Sequence, residues 1–211
     1  MTLLRPILPT LLVSLTLYSA TIAASIQDPA DFLKARHDKI REAIGAGETI
    51  LSADDRERLK TVLNEAINFI ELSRRSLGSY WTPLTAPQRV EFVGVLSDII
   101  KMNSIKNLSI YRTTTVTYEP SQVTGNIAAI VTHVFTDDGS DVVVRYQLLN
   151  EGNQWKIFDI IIDDVSTIEN YQSLFNRTIS KSSYAGLLKK LKTKRDLLRS
   201  EESGTGQNAA H

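Results

Sequence analysis

Residues 126–164 read NIAAIVTHVFTDDGSDVVVRYQLLNEGNQWKIFDIIIDD, three runs of β-branched and aromatic residues separated by two turns. Asp138-Gly139 and Gly152-Asn153 are the residue types that tight hairpin turns require, so residues 126–136, 141–149 and 154–163 are predicted as consecutive antiparallel strands. Upstream, residues 113–119 are rich in threonine and valine and are closed by Pro120, which adds a strand and makes an antiparallel sheet of about four. The strands are apolar on both sides. Ile127, Ala129, Val131 and Phe135 alternate with Ala128, Ile130 and Val134, and Trp155, Ile157 and Ile161 alternate with Phe158, Ile160 and Ile162. A sheet with one wet face shows polar residues on that face. Both faces are therefore expected to be covered, at least in part.

Helices flank the sheet on either side in sequence. Residues 28–44 carry Phe32, Leu33, Ile40 and Ile44 among charges. Ser52 is a capping residue for a long helix over 53–76, whose apolar face runs through Leu59, Leu63, Ala66, Ile67 and Ile70 before Gly78 ends it. Thr85 and Pro87 open another helix, to about residue 103, with Phe92, Val93, Leu96, Ile99 and Ile100 in a broad stripe. After the sheet, residues 166–180 and 183–198 are helical. Helices, then hairpins, then helices define an α+β domain. Its expected limits are 24–200, with a mainly helical part at 24–110, the sheet at 111–163 and the last helices at 164–200. The apolar-poor stretch 201–211 is expected to be a disordered tail.

The start of the chain has the form of an export signal. Arg5 precedes an apolar stretch at 7–18 and small residues at 19–25, and cleavage after Ala23 would place Thr21 and Ala23 at the small-residue positions. The remaining chain holds no later run long enough for a bilayer span. Lysine plus arginine and aspartate plus glutamate both number 24, so no net field attracts nucleic acid. The absence of cysteine removes disulfides and thiolate chemistry.

The residues carry no recognisable catalytic constellation. His37 is expected on a solvated helix face, His133 in a strand with a structural or pocket-lining role, and His211 in the tail. Asp137-Asp138 reads as a turn, and one of Asp163-Asp164 as a cap for the helix that follows. Asp159 or Asp163 as a buried general base is the enzymatic alternative. Apolar periodicity alone does not separate a solid core from one built around a hollow.

Two stretches carry a family resemblance. WKIFDIIIDDVSTIENYQSLFNRTISKSSYAGLLKKL (155–191) and LGSYWTPLTAPQRVEFVGVL (77–96) resemble the toluene-tolerance, MlaC-type family of periplasmic phospholipid-transport proteins, and the order of helices, hairpins and terminal helices agrees over roughly 28–195. The chain departs from the family pattern at Asp163-Asp164 before Val165-Ser166, at Gln172 after Tyr171, and at Met102 and Ile105 in place of a later aromatic. The resemblance implies an NTF2-like sheet and helices enclosing an apolar cavity for phospholipid tails. It further implies a carrier without cofactor or enzymatic activity, a monomer that shuttles through the periplasm. Its partners would be an outer-membrane lipoprotein complex and an inner-membrane ATP-driven complex, met in transient contacts. Another long apolar cargo, such as a hopanoid, is the alternative. Expected to line the cavity are Trp81, Phe92, Leu96, Val131, Val144, Tyr146, Phe158, Ile160, Val165, Tyr171 and Phe175, with Tyr171 near the mouth.

Overall fold

Short polar side chains start the helices, each by satisfying backbone N–H groups that the first turn leaves unpaired. The structure, a computed structural model, describes residues 27–45, 51–107, 115–136 and 139–207. The export segment lies outside the described residues. Helix α1 (Pro29–Ile44) begins at Asp28, which accepts from the Ala30 N–H at 2.7 Å. Helix α2 (Ala53–Ala66) begins at Ser52 in a reciprocal capping box with Asp55. Thr85 and Gln88 make the corresponding pair for α4 (Ala86–Asn107).

The helix predicted over 53–76 is two helices. Ile67 is extended (φ −104°, ψ 133°) and forms a parallel bridge to Ile157, and the Asn68 N–H donates to the Ile157 carbonyl at 2.7 Å. Asn68 then caps α3 (Phe69–Leu77) through the Glu71 N–H. No glycine or proline announces this break, because it is made by pairing with a strand far along the chain.

Among the described residues the sheet has six strands rather than four: β1 (Thr115–Tyr118), β2 (Gln122–Thr124), β3 (Ile127–Phe135), β4 (Asp141–Glu151), β5 (Gln154–Ile162) and β6 (Val165–Ser166). Its order is β1-β3-β4-β5-β6, all antiparallel, with β2 also paired to β3. The two additional strands have three and two residues, too short to show a period of two. A register shift between Gln147 and Leu148 leaves Phe158 as the extra residue of β5, a β-bulge. Across the three long strands, Ile130, Tyr146 and Ile160 lie side by side on one face.

That face is the buried one. Ala128, Ile130, Thr132 and Leu148 are wholly inaccessible under the helices, whereas Ala129, Val131 and Val143 on the other face are half-buried and Phe135 is 41% exposed. Cover on the outer face is partial: it is fullest at the β5 edge, where Ile161, paired with Arg145 and Ser166, is buried. Outer apolar residues shield one another across strands, which satisfies β-branched side chains without a second helical layer.

Helices α5 (Thr167–Lys181) and α6 (Tyr184–Gln207) complete the domain. Helix α6 runs well past the point where a tail was expected. Leu198 is buried, Lys60 holds Glu202 at 3.1 Å and Lys106 pairs with Glu201, so α2 and α4 give the polar end of α6 something to lie on. Residues 208–211 of the expected tail lie outside the described residues. No helix among the described residues is long and apolar enough to cross a membrane.

Candidate functional site

The sheet and the helices part along β5. A mostly apolar cleft of about 210 Å³ opens there, between the bulge of β5, the α2–α3 junction, the C-terminal half of α4 and the start of α5. The bulge places Ile157, Phe158, Asp159 and Ile160 on its wall, four consecutive residues where a regular strand would present only alternate ones. Ile67 and Leu72 close one side, Ile100 the next, and Tyr171 stands on α5 opposite the strand. Asn103, Ser104 and Thr167 bring polar atoms to the same cleft. Burial pushes the Tyr171 phenol above its ordinary range, which keeps it protonated and able to donate.

Of the residues expected to line a cavity, Phe158, Ile160 and Tyr171 meet at this cleft. Tyr171 stacks on Phe175 at 5.4 Å, and Phe175 meets Phe92 edge to face at 5.6 Å, so an aromatic chain runs from the cleft into the core between α4 and α5. Leu96 is fully buried in that same core. Val144 and Tyr146 lie on the buried face of β4, directly across from Ile162 and Ile160. Three others lie elsewhere. Trp81 packs under the Arg89 guanidinium, Val131 occupies the outer sheet face opposite Arg145, and Val165 is 62% exposed. A one-residue error in facing moves a strand residue to the other side of a sheet, and Val131 illustrates it.

The space is also small. At about 210 Å³ it falls below the ~300–1,000 Å³ of ordinary small-molecule sites. Phe92, Phe158, Phe175, Leu77 and Leu96 are fully buried in the core that surrounds it. Apolar side chains close on one another because a void forfeits their dispersion contacts.

The buried carboxylate at the cleft is bound to the start of α5. Asp159 is only 6% exposed; its carboxylate accepts from the Ser166 hydroxyl at 2.6 Å and from the Ile168 N–H at 3.1 Å. Ser166, rather than Asp163 or Asp164, caps α5, and those two aspartates form an exposed turn in the left-handed region with φ of 48° and 63°. On α3, Arg75 lies 4.2 Å over the Phe158 ring while pairing with Glu71. Glu71 is held down to about 2 by its hydrogen bond to Arg74, with Arg75 adding to the effect.

A second buried polar group lies under α1. His37, expected at the surface, is 2% exposed, with Nδ1 2.7 Å from the Tyr118 hydroxyl and Nε2 3.2 Å from the Tyr146 hydroxyl. A neutral imidazole has one donor and one acceptor, so one tyrosine donates to the ring and the other accepts from it. The signal available in the sequence was the position of His37 four residues after Leu33 and three before Ile40, on the apolar stripe. His133 lies on the outer face between Glu119 and Asp141, each at 3.1 Å, and these contacts raise its pKa, the Glu119 bond foremost. Among the described residues no cluster of three or more His, Asp or Glu side chains is placed to share a metal ion.

A twisted antiparallel sheet covered on one face by helices, with an apolar cleft where the two layers separate, defines a small α+β domain of NTF2-like type. The family model of the MlaC protein matches residues 34–193, and the chain belongs to that family. It is similar to the intermembrane phospholipid transport system binding protein MlaC of Haemophilus influenzae, at 23% identity over 161 residues, 71% of this chain and 75% of that protein. The solved structure of a phospholipid-binding protein from Ralstonia solanacearum, in complex with a phospholipid, matches 82% of this chain and 99% of its own with a TM-score of 0.69 at 19% identity. That likeness establishes the fold.

Proposed function

We propose that this chain is a periplasmic phospholipid carrier that buries lipid tails between β5 and its covering helices and performs no chemistry on them. The apolar cleft at the β5 bulge, in a chain of the MlaC family, carries the reading. Both relatives are described as phospholipid-binding or phospholipid-transport proteins. Two tails of about 15 methylenes each represent roughly 24 kcal/mol of transfer out of water, at ~0.8 kcal/mol per methylene. Only a dry apolar enclosure offsets that. The present cleft is too small for both tails, so loading requires its walls to separate, with Phe158, Ile160 and Tyr171 becoming tail contacts. Trp81, Phe92, Leu96, Val131, Val144, Tyr146, Val165 and Phe175 complete the proposed lining only to the extent that such separation reaches them; Val131 and Val165 are the least suited by position.

Burial of equal strength in carrier and membrane moves nothing in one direction. Direction belongs to the partners, proposed as an outer-membrane lipoprotein complex and an inner-membrane ATP-driven complex, with export by the leader cleaved after Ala23. Mass spectrometry of protein isolated from a bacterial envelope without added lipid tests the cargo. Stoichiometric phospholipid is expected, reduced in Phe158→Trp, where the larger ring occupies the cleft. A polycyclic lipid in its place would reassign the cargo, and protein free of any lipid would overturn carriage.

A further inference from the structure

Helices α1 to α4 are started by residues within three positions of the N–H or side chain they bind: Asp28, Ser52, Asn68 and Thr85. Helix α5 is different. Its local cap, Ser166, accepts from the Glu169 N–H at 3.1 Å, and its hydroxyl donates to Asp159 at 2.6 Å. Asp159 belongs to β5, and its second oxygen accepts from the Ile168 N–H at 3.1 Å. The neighbouring Thr167 hydroxyl donates to the Ile160 carbonyl at 2.8 Å. The first turn of α5 is therefore fastened to the strand across its edge, by a carboxylate that local capping does not need.

Placing a carboxylate in apolar surroundings is unfavourable unless donors surround it, and a helix N-terminus supplies both donors and positive potential. Asp159, Ile160, Thr167 and Tyr171 all line the cleft. The fastening thus lies on the cleft wall itself. We infer that Asp159 is a positioning residue for cargo retention: it holds the α5 wall of the cleft on β5 while loading separates the α2–α3 and α4 walls, and its loss lets bound lipid escape faster. This rests on phospholipid carriage as the function.

The test loads the full chain with a fluorescent phosphatidylglycerol and follows its release into excess phosphatidylcholine vesicles, alongside thermal unfolding. Asp159→Ala is expected to speed release by about tenfold or more, the equivalent of one charge-assisted hydrogen bond. Asp159→Asn, which still accepts from Ile168, and Ser166→Ala should each speed release by a smaller factor, and they carry the test if Asp159→Ala does not fold. Leu33→Ala, in the fully buried part of α1 away from the cleft, serves as a variant of lowered Tm with release unchanged. Release within about twofold of the parent in the Asp159 and Ser166 variants, or equal acceleration in Leu33→Ala at matched loss of Tm, overturns the inference. A parent chain that takes up no lipid overturns carriage instead.

Discussion

The two ends of the sheet are each held to a helix by one buried polar side chain, and the two ends behave differently. Under α1, a neutral His37 bridges two tyrosine hydroxyls, and the packing around Ile130 and Thr132 is closed. At β5, the hydrogen-bonded partner of a helix N-terminus, Asp159, sits on the wall of a cleft. Tyr146 stands between the ends, beside Ile130 on one side and Ile160 on the other. The comparison teaches that a buried polar anchor does not by itself mark a solid core or a binding site. What differs is whether side chains meet across the gap behind it, and at β5 the bulge and the α2–α3 break hold the layers apart.

Truncation at both ends breaks or sharpens this contrast most strongly. Ile130→Ala should lose about 2–5 kcal/mol, since a wholly buried side chain leaves a cavity that its neighbours cannot fill. Ile160→Ala, at a half-buried position already bordering free space, should lose clearly less. Equal losses in urea unfolding would mean that the two ends are packed alike.

Acid should act on the α1 end next. Burial, reinforced by Arg41 and opposed by Asp38, pushes the His37 imidazole down to about 4. Because the folded value lies below that of the unfolded chain, the unfolded chain takes up the proton first. Stability is fully present above pH ~6.5 and declines as pH falls toward the folded value, by about 3 kcal/mol in all. Urea midpoints between pH 7 and 4 should show this slope, and His37→Gln should flatten it. Glu71, whose depressed pKa removes stability only as pH falls below its ordinary range toward about 2, leaves that window largely clear.

The smallest effect concerns the tyrosines. Tyr118→Phe removes one hydrogen bond to His37 from a half-buried position and should lower stability by about 1 kcal/mol. It should leave lipid content unchanged, because Tyr118 is not at the cleft. Altered lipid content in that variant would join the two ends into one site.

Much of the architecture was legible because it is encoded locally. Ser52, Thr85, Gly78 and Gly152-Asn153 mark starts and stops through their own side chains or lack of them, and the three long strands show in their β-branched runs. The candidate site was legible in part. Phe158, Ile160 and Tyr171 are both expected in a lining and found at the cleft, while Ile67, Leu72, Ile100 and Ile157 carry no such signal, since nothing in an apolar residue distinguishes a cleft wall from a packed core. Trp81, Val131 and Val165 were placed by type rather than by facing, and the structure puts them beside Arg89, on the outer sheet face and in the open.

Residue pattern by itself determined an α+β chain of helices around an antiparallel hairpin sheet, because caps, turns and periodicity act over a few residues. Tertiary structure alone decided that the 53–76 helix breaks at Ile67, that the helices cover mainly one face of the sheet, that His37 is buried, and that the layers separate at β5. Each of those outcomes is a contact between residues distant in the chain, such as Asn68 with Ile157 or Asp159 with Ile168, and the width of a gap depends on both of its walls at once.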